Sequence, residues 1–378
     1  MTATSFDVAV VGLGVTGGST ALHLARRGVR VLGIDRWAPP HAMGSSHGGT
    51  RLIREAIVEG PWYVPLVRRA RDLWLELDAE VGGAELFTPT GVVTIGAPES
   101  GLLAATIACA TRHGIPHDVL DAPALHRRFP ALEPFDDMRG VLEPGAGVLW
   151  PERIVALQVE LAHRAGATLS FGERVLAWES HDEAIVVRTD RGAYHAGRVV
   201  LCAGAWNPTL VPVPLPLAVV RQVQEWWEPA RHPERFTPER MPVTLWELPD
   251  ARVFYTMPNA GDGVKVGWHH GGTATDAETL DRDVSPSEHA SVTDLLRRFL
   301  PQAKGERKAH AVCMYTSTPD RHFIVDEVPG EPRVLLVSAC SGHGFKYGSV
   351  LGSLVAERLV TGTTAHDLTP FGLARFAA

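Results

Sequence analysis

Apolar residues run through this chain in short blocks whose spacing switches between two periods. Residues 8–11 (VAVV) are a continuous apolar run, the pattern of a strand buried on both faces. Helical spacing follows over 19–27, Gly28 stops it, and a second strand over 29–34 ends in Asp35. Further helices are expected over 61–81, 100–113, 151–163 and 285–299, with Pro151 suited to a first helical turn. Buried-type strands are expected at 92–95, 167–171, 184–189, 198–202 and 334–339. The last leads through glycine-rich 341–348 into a final helix ending near 359. Residues 219–227, 243–248, 252–257 and 264–268 read as sheet strands, the last three as successive antiparallel ones. Residues 38–49 read as an extended loop, and 147–150 as the end of another.

Strands of the dinucleotide-binding type thus fall in three separated pieces, near 6–35, 167–202 and 334–339, with antiparallel material between them. The expected fold is mixed α/β. A Rossmann-type domain (1–85, 150–215 and 322–378) is interleaved with an antiparallel-sheet substrate domain (86–149 and 216–321). Such interleaving puts a site at their interface.

The first βαβ unit carries Gly12, Gly14 and Gly17 as G-x-G-x-x-G. The first glycine permits a tight turn, the second lets backbone approach a pyrophosphate, and the third lets the helix pack on the sheet. The helix N-terminus offers free N–H groups to phosphates. Asp35 is placed to accept hydrogen bonds from a ribose, which argues against a 2′-phosphate. The motif alone does not separate FAD from NAD.

Composition narrows the class. At 378 residues the chain is too long for one ordinary core. Apolar residues at 45% and charged residues at 21% fit a globular protein, and a net charge of −7 gives no reason to expect nucleic acid or an anionic membrane as partner. No secretory leader and no membrane span is expected. Cys109, Cys202, Cys313 and Cys340 lack metal-type spacing, so reduced thiols in a cytosol are expected and no metal site. Of 36 basic residues only Lys265, Lys304, Lys308 and Lys346 are lysines. A lysine kept in so arginine-rich a chain suits a task that needs a compact charge of adjustable pKa. Lys304 and Lys308 sit in a polar turn; Lys265 and Lys346 sit among glycines and apolar residues.

Four segments carry candidate chemistry. In the first, 44–54 (GSSHGGTRLIR), small residues let backbone lie against a ring system, and Thr50 and Arg51 can donate to it. Arg54 lies three beyond Arg51, so a helix here would bring both to one side, where a guanidinium fork suits a carboxylate. In the second, 254–270, a strand would turn Lys265, Gly267 and His269 to one face, with room above the glycine. The third, 311–320, contains Cys313 in an apolar setting. The fourth, 341–346 (SGHGFK), places glycine-rich backbone between a strand and a helix.

Taken together, these segments resemble the monomeric sarcosine oxidase and N-methyltryptophan oxidase family of flavoprotein amine oxidases. The resemblance covers nearly the whole chain. It rests most on GSSHGGTRLIR (44–54), CMYTSTPDRHF (313–323) and SGHGFK (341–346), with FYTMP and KVGWH adding to it. It implies a monomer with FAD bonded covalently through Cys313. Gly12, Gly14, Gly17, Asp35, Ser45, His47, Thr50, Arg51, Gly342, His343, Gly344 and Lys346 would surround the cofactor. It also implies that Arg54 and Lys346 grip the substrate carboxylate, that Tyr255 and His269 line the substrate site, and that Lys265 activates dioxygen. Thr50 and Arg51 would lie near the reactive ring. The implied reaction is oxidation of a secondary amino acid at its neutral amine, with dioxygen reduced to peroxide and the imine hydrolysed. Neutralising an amine of lysine-like pKa near pH 7.4 costs about 4 kcal/mol, and a desolvated, cation-bearing pocket favours the neutral form.

Gly49 and Glu55 depart from the family pattern, and Trp226, Trp227 and Trp246 bear either on the pocket or on packing. Sarcosine, N-methyltryptophan, other N-methyl amino acids and cyclic imino acids such as pipecolate or proline stay open as substrates. So does an amino acid dehydrogenase with noncovalent FAD. A cofactor-binding sensor without activity and an NAD-dependent dehydrogenase are disfavoured by the four segments and by the interleaving.

Overall fold

The structure is a computed structural model that describes residues 5–376. Its first sheet is built around five parallel strands in the order Thr168–Phe171, Val31–Asp35, Ser5–Val11, Ala193–Leu201 and Glu331–Ser338. Strand Ala193–Leu201 is shared along its length. Its last residues pair with Glu331–Ser338, while its first pair antiparallel with Ile185–Thr189, which continues to Val175–Ser180. Ile324–Val328 closes the other edge antiparallel to Glu331–Ser338.

The central strand is buried on both faces, as its unbroken apolar run requires. Val8 and Val10 pack under the helices Val15–Ala25, Tyr63–Glu80, Pro151–Arg164 and Gly348–Thr361. Ala9 and Val11 face Ile185, Val187 and Leu336. Leu13, Leu24, Tyr63 and Trp74 complete the helical side, each completely buried.

The second sheet runs Arg307–Ser317, Ala218–Trp227, Val264–His269, Val253–Met257, Val243–Glu247, Val92–Gly96, Arg139–Glu143 and Asp118–Asp121. All its pairings are antiparallel except that of Val92–Gly96 with Val243–Glu247. Alternation along these strands divides the residues between two tasks. Trp246, Phe254, Val264 and Val266 face the helix Pro286–Phe299 and join its Phe299 in one apolar cluster. Trp246 and Phe254 stack with ring centres 5.6 Å apart. The intervening residues Leu245, Tyr255, Lys265 and His269 face the first sheet and its loops across a cavity. The helix start is secured by a capping box, with Ser285 and Glu288 satisfying each other's backbone N–H groups.

Most expected elements are present within a few residues. The exceptions are specific. Residues 147–150 were expected to end a loop, but Gly147–Leu149 is a strand that pairs with Arg51–Ile53 and Phe87–Thr88. Strands Asp118–Asp121, Arg139–Glu143, Val175–Ser180 and Ile324–Val328 lie where no apolar alternation marked them. Among the described residues no helix is long and apolar enough to cross a membrane, no metal-holding cluster occurs, and the four cysteines are unpaired.

Candidate active site

The G-x-G-x-x-G turn is shaped by steric necessity. Gly12 has φ +87°, where a side chain is strained, and a Cβ on Gly17 would lie 1.8 Å from the Gly12 carbonyl oxygen. Helix Val15–Ala25 therefore starts directly against the turn, with the N–H of Val15 donating to Ser46 Oγ at 3.2 Å. Asp35 ends its strand with a buried carboxylate. Its Oδ2 accepts from Leu13 N at 2.7 Å and its Oδ1 from Trp37 N at 2.9 Å, with His41 Nε2 3.3 Å away.

From this end a single cavity of about 510 Å³ runs between the two sheets. Gly12, Gly14 and Asp35 line one end; Ser45, Thr50, Arg51 and Cys313 follow; Arg54, Tyr255, Lys265, His269, Gly342, His343, Gly344 and Lys346 line the remainder. Two of the candidate residues lie outside its lining. Gly17 packs the helix on the turn. His47 is buried behind the loop, its Nε2 without a partner, and burial with nearby Arg51, Lys265 and Arg282 lowers its pKa to about 3.

The middle of the cavity gathers a thiol, a guanidinium and a lysine. Cys313 is 2% exposed, its Sγ 3.9 Å from Ser45 O and 3.8 Å from Arg51 Nη2. Arg51 also donates to the carbonyls of Ser45 (3.1 Å) and Thr50 (2.8 Å). Lys265 is 1% exposed, and its Nζ donates to the carbonyls of Gly48 (2.8 Å) and Thr50 (3.0 Å). It lies 5.4 Å from the Trp226 ring centre. Burial and the charge of Arg51 hold its pKa well below that of a free lysine. Of the three tryptophans left open, Trp226 therefore borders this lysine, while Trp227 and Trp246 pack in the apolar cluster.

The far end carries two cations, Arg54 and Lys346, and one carboxylate, Glu59, for which the cost of burial is outweighed by His343, Lys346 and Arg54, so that its pKa is lowered to about 2. Arg54 and Arg51 do not share a helix face: Arg51–Ile53 is a strand, and Arg54 turns away to donate to Thr94 Oγ1 at 3.1 Å. Alternation on a strand sends near residues to opposite sides, so the two arginines serve different parts of the cavity. The chain after Arg54 is pinned by buried Glu143, which accepts from Glu55 N at 2.7 Å and Ala56 N at 3.0 Å. Glu55 itself pairs with Arg68 at 2.8 Å. Lys346 donates to His343 O at 2.8 Å, and burial lowers its pKa to about 8 against the raising influence of Glu59. His269 Nδ1 lies 3.3 Å from Tyr315 Oη, and burial holds that imidazole far below its ordinary pKa, hence neutral at pH 7. His343 stacks on Phe323 and bonds Arg321 O at 3.0 Å through Nε2, with its Nδ1 unpartnered.

Sequence reasoning missed several lining residues: Ser46, Glu59, Arg174, Gln224, His270, Tyr315 and Cys340. Gln224 belongs to an alternating strand where either face was open. Glu59 lies in an irregular turn that carries no periodic signal.

The cavity fits FAD. Thr50 Oγ1, Gln224 Oε1 and His343 Nδ1 are buried polar atoms without partners, and such atoms ask for a polar ligand. The bare glycine turn and helix N-terminus at the other end suit a pyrophosphate. A parallel sheet with helices and a glycine turn define a dinucleotide-binding fold, and the long cavity a ligand-binding protein of that class. The family model described as FAD dependent oxidoreductase matches residues 7–358, and the chain belongs to this family. Within it, the chain is 39% identical over 380 residues to monomeric sarcosine oxidase of Streptomyces avermitilis, covering 99% of this chain and 98% of that protein. It is 35% identical over 374 residues to N-methyl-L-tryptophan oxidase of Salmonella dublin, covering 98% and 99%. Among solved structures, NikD, an amino acid oxidase of nikkomycin biosynthesis, shares the fold with a TM-score of 0.87 at 24% identity over 97% of both chains.

Proposed function

We propose that this chain is an FAD-dependent oxidase of secondary amino acids, N-methyl amino acids such as sarcosine among them, acting as a monomer and bonded to its cofactor at Cys313. In balance, amine, dioxygen and water yield aldehyde, the shortened amine and hydrogen peroxide. The observation that carries this is one continuous cavity with two buried cations, Arg54 and Lys346, at one part and a thiol, an arginine and a lysine at another. Relatives named for sarcosine and N-methyltryptophan oxidation support it.

Bound in the cavity, FAD supplies the two-electron acceptor that dioxygen later regenerates. Gly12, Gly14 and Asp35 would hold its nucleotide half, and Ser45, Thr50, Arg51, Cys313, Gly342 and Gly344 its ring half. Gly17 acts by packing, and His47 from behind the loop. Arg54 and Lys346 bind the substrate carboxylate through charge-assisted hydrogen bonds of about 1.5–3 kcal/mol each. Their positive field and the burial around them favour the amine without its proton. Tyr255 and neutral His269 border the amine and hold its orientation. As an ammonium, Lys265 has one N–H beyond its two carbonyl bonds for the negative charge that dioxygen gains. The strands of the first sheet come from 1–85, 150–215 and 322–378 and those of the second from 86–149 and 216–321, which supports the two-domain division. The unpaired cysteines support a reducing compartment such as the cytosol.

A substrate larger than sarcosine has its own support. The cavity floor continues past Tyr255 to Val253, Glu247 and Leu102. Tyr255 leans the other way: a Cβ on Gly267 would meet its Oη at 2.6 Å. The apolar Leu102, Leu245 and Val253 in this part of the lining suit an apolar side chain on the carboxylate-bearing carbon. The test is peroxide release under air from sarcosine, N-methylleucine, N-methyltryptophan and pipecolate. Release from at least one, stoichiometric with amine lost, is expected. Turnover only with an artificial electron carrier would instead identify a dehydrogenase, and absence of both would end the reading.

A further inference from the structure

Between strand Val264–His269 and helix Pro286–Phe299 the chain crosses the back of the cavity without regular structure. From this segment one guanidinium reaches two separate parts of the ring-side wall. Arg282 Nη1 donates to Ala42 O at 3.0 Å and to Val312 O at 3.4 Å, and its Nη2 donates to Met43 O at 3.0 Å. Ala42 and Met43 lead into the 44–51 loop; Val312 precedes Cys313. On the other side of the cysteine, Met314 O accepts from Ser45 Oγ at 2.8 Å. Cys313 is thus bracketed by two ties to one loop, one at 312 through Arg282 and one at 314 through Ser45.

Arg282 is itself held in place. Arg221, buried on strand Ala218–Trp227, donates to the carbonyls of Asp281 (3.0 Å) and Asp283, on either side of Arg282, and pairs with Glu288 in the helix cap. The sequence runs helix cap, Arg221, Arg282, then loop and cysteine together. Arginine suits the last position because its planar fork reaches several carbonyls in fixed directions, which an ammonium does not.

We propose that Arg282 is a positioning residue for covalent attachment of FAD at Cys313, setting the 42–51 loop in register with the thiol. The inference rests on the oxidase reading above. Attachment forms one S–C bond to the ring's methyl carbon and releases the thiol proton and one methyl proton. The two electrons left on the ring pass to dioxygen, which takes both protons and becomes hydrogen peroxide. A misplacement on the order of 1 Å slows an intramolecular step about a hundredfold, so loss of the tie acts on attachment before it acts on binding.

The test compares wild type, Arg282→Gln and Arg282→Lys, each produced as folded apoprotein under riboflavin starvation and then given FAD. Total flavin per chain, the part that stays with acid-denatured chain, and the growth of that part on incubation with FAD under air are measured. Arg282→Gln is expected to bind FAD but to accumulate acid-stable flavin at least tenfold more slowly, with Arg282→Lys between it and wild type. Attachment at the wild-type rate in Arg282→Gln overturns the inference. If that variant does not fold, a wild-type rate in Arg282→Lys overturns it, and a slower one upholds it. Absence of acid-stable flavin from wild type itself would refute attachment at Cys313, and this inference with it.

Discussion

Burial acts on the two cavity lysines in the same direction, with different consequences. Lys346 has its pKa lowered to about 8 by desolvation, so it is an ammonium below that pH and loses its charge as pH rises through it. A free substrate amine of lysine-like pKa stays mostly protonated through this range, so the change at Lys346 dominates. KM for a carboxylate substrate is therefore expected to rise above about pH 8. Lys346→Met should raise KM by roughly ten- to a hundredfold, the equivalent of one charge-assisted bond, and remove that alkaline limb. A KM that stays level with pH in wild type would deny Lys346 the carboxylate. In the proposed reaction Lys265 serves dioxygen. In Lys265→Met, stopped-flow traces should show reoxidation by dioxygen slowed far more than reduction of the flavin by substrate; equal losses in both would remove Lys265 from the oxygen step. Both lysines stood out in the chain as rare survivors in an arginine-rich composition. Glu59 and Gln224 did not, because nothing in their spacing distinguishes a cavity wall from a solvated turn or a sheet face.

Elements place these residues, and strand alternation is the main device. Lys265, Gly267 and His269 share a face as a two-residue period requires, and the same period sends Val264 and Val266 into the core. Gly267 is the sensitive position: a Cβ there would meet Tyr255 Oη at 2.6 Å and Val223 O at 2.9 Å. Gly267→Ala should displace the Tyr255 ring and lower kcat/KM, and it should lower the thermal midpoint too, because the Val223 carbonyl is backbone and cannot swing aside. A crystal structure of this variant with Tyr255 unmoved would contradict that. The helices and central strands could be read from apolar periodicity. The strands at 118–121 and 139–143 could not, since one is largely exposed and the other is interrupted by glycine. The placement of Arg51 and Arg54 was hidden for another reason. A three-residue offset fits a helix, and only pairing with Gly147–Leu149 makes the segment a strand.

At the scale of the molecule, the cavity exists because two sheets formed from alternating pieces of chain face each other, so ligand and fold are linked. A cofactor bound reversibly by both sheets stabilises the folded state by an amount that grows with the logarithm of its free concentration above Kd. In Cys313→Ser, where FAD would be held without a bond, the thermal midpoint should rise with added FAD, whereas wild type already saturated by attachment should show no such dependence. A wild-type midpoint that climbs with added FAD would argue against a permanent bond. The interleaving was legible from the order of strand types along the chain, but the single continuous cavity was not, because it depends on how loops 42–60 and 339–346 meet across the gap. The most direct measurement of the whole account is the mass of the proteolytic peptide containing Cys313, prepared from acid-denatured and washed wild-type protein. That peptide should be heavier by one FAD less two hydrogen atoms. A peptide with a free thiol, from protein that carried FAD before denaturation, would contradict the proposed tether.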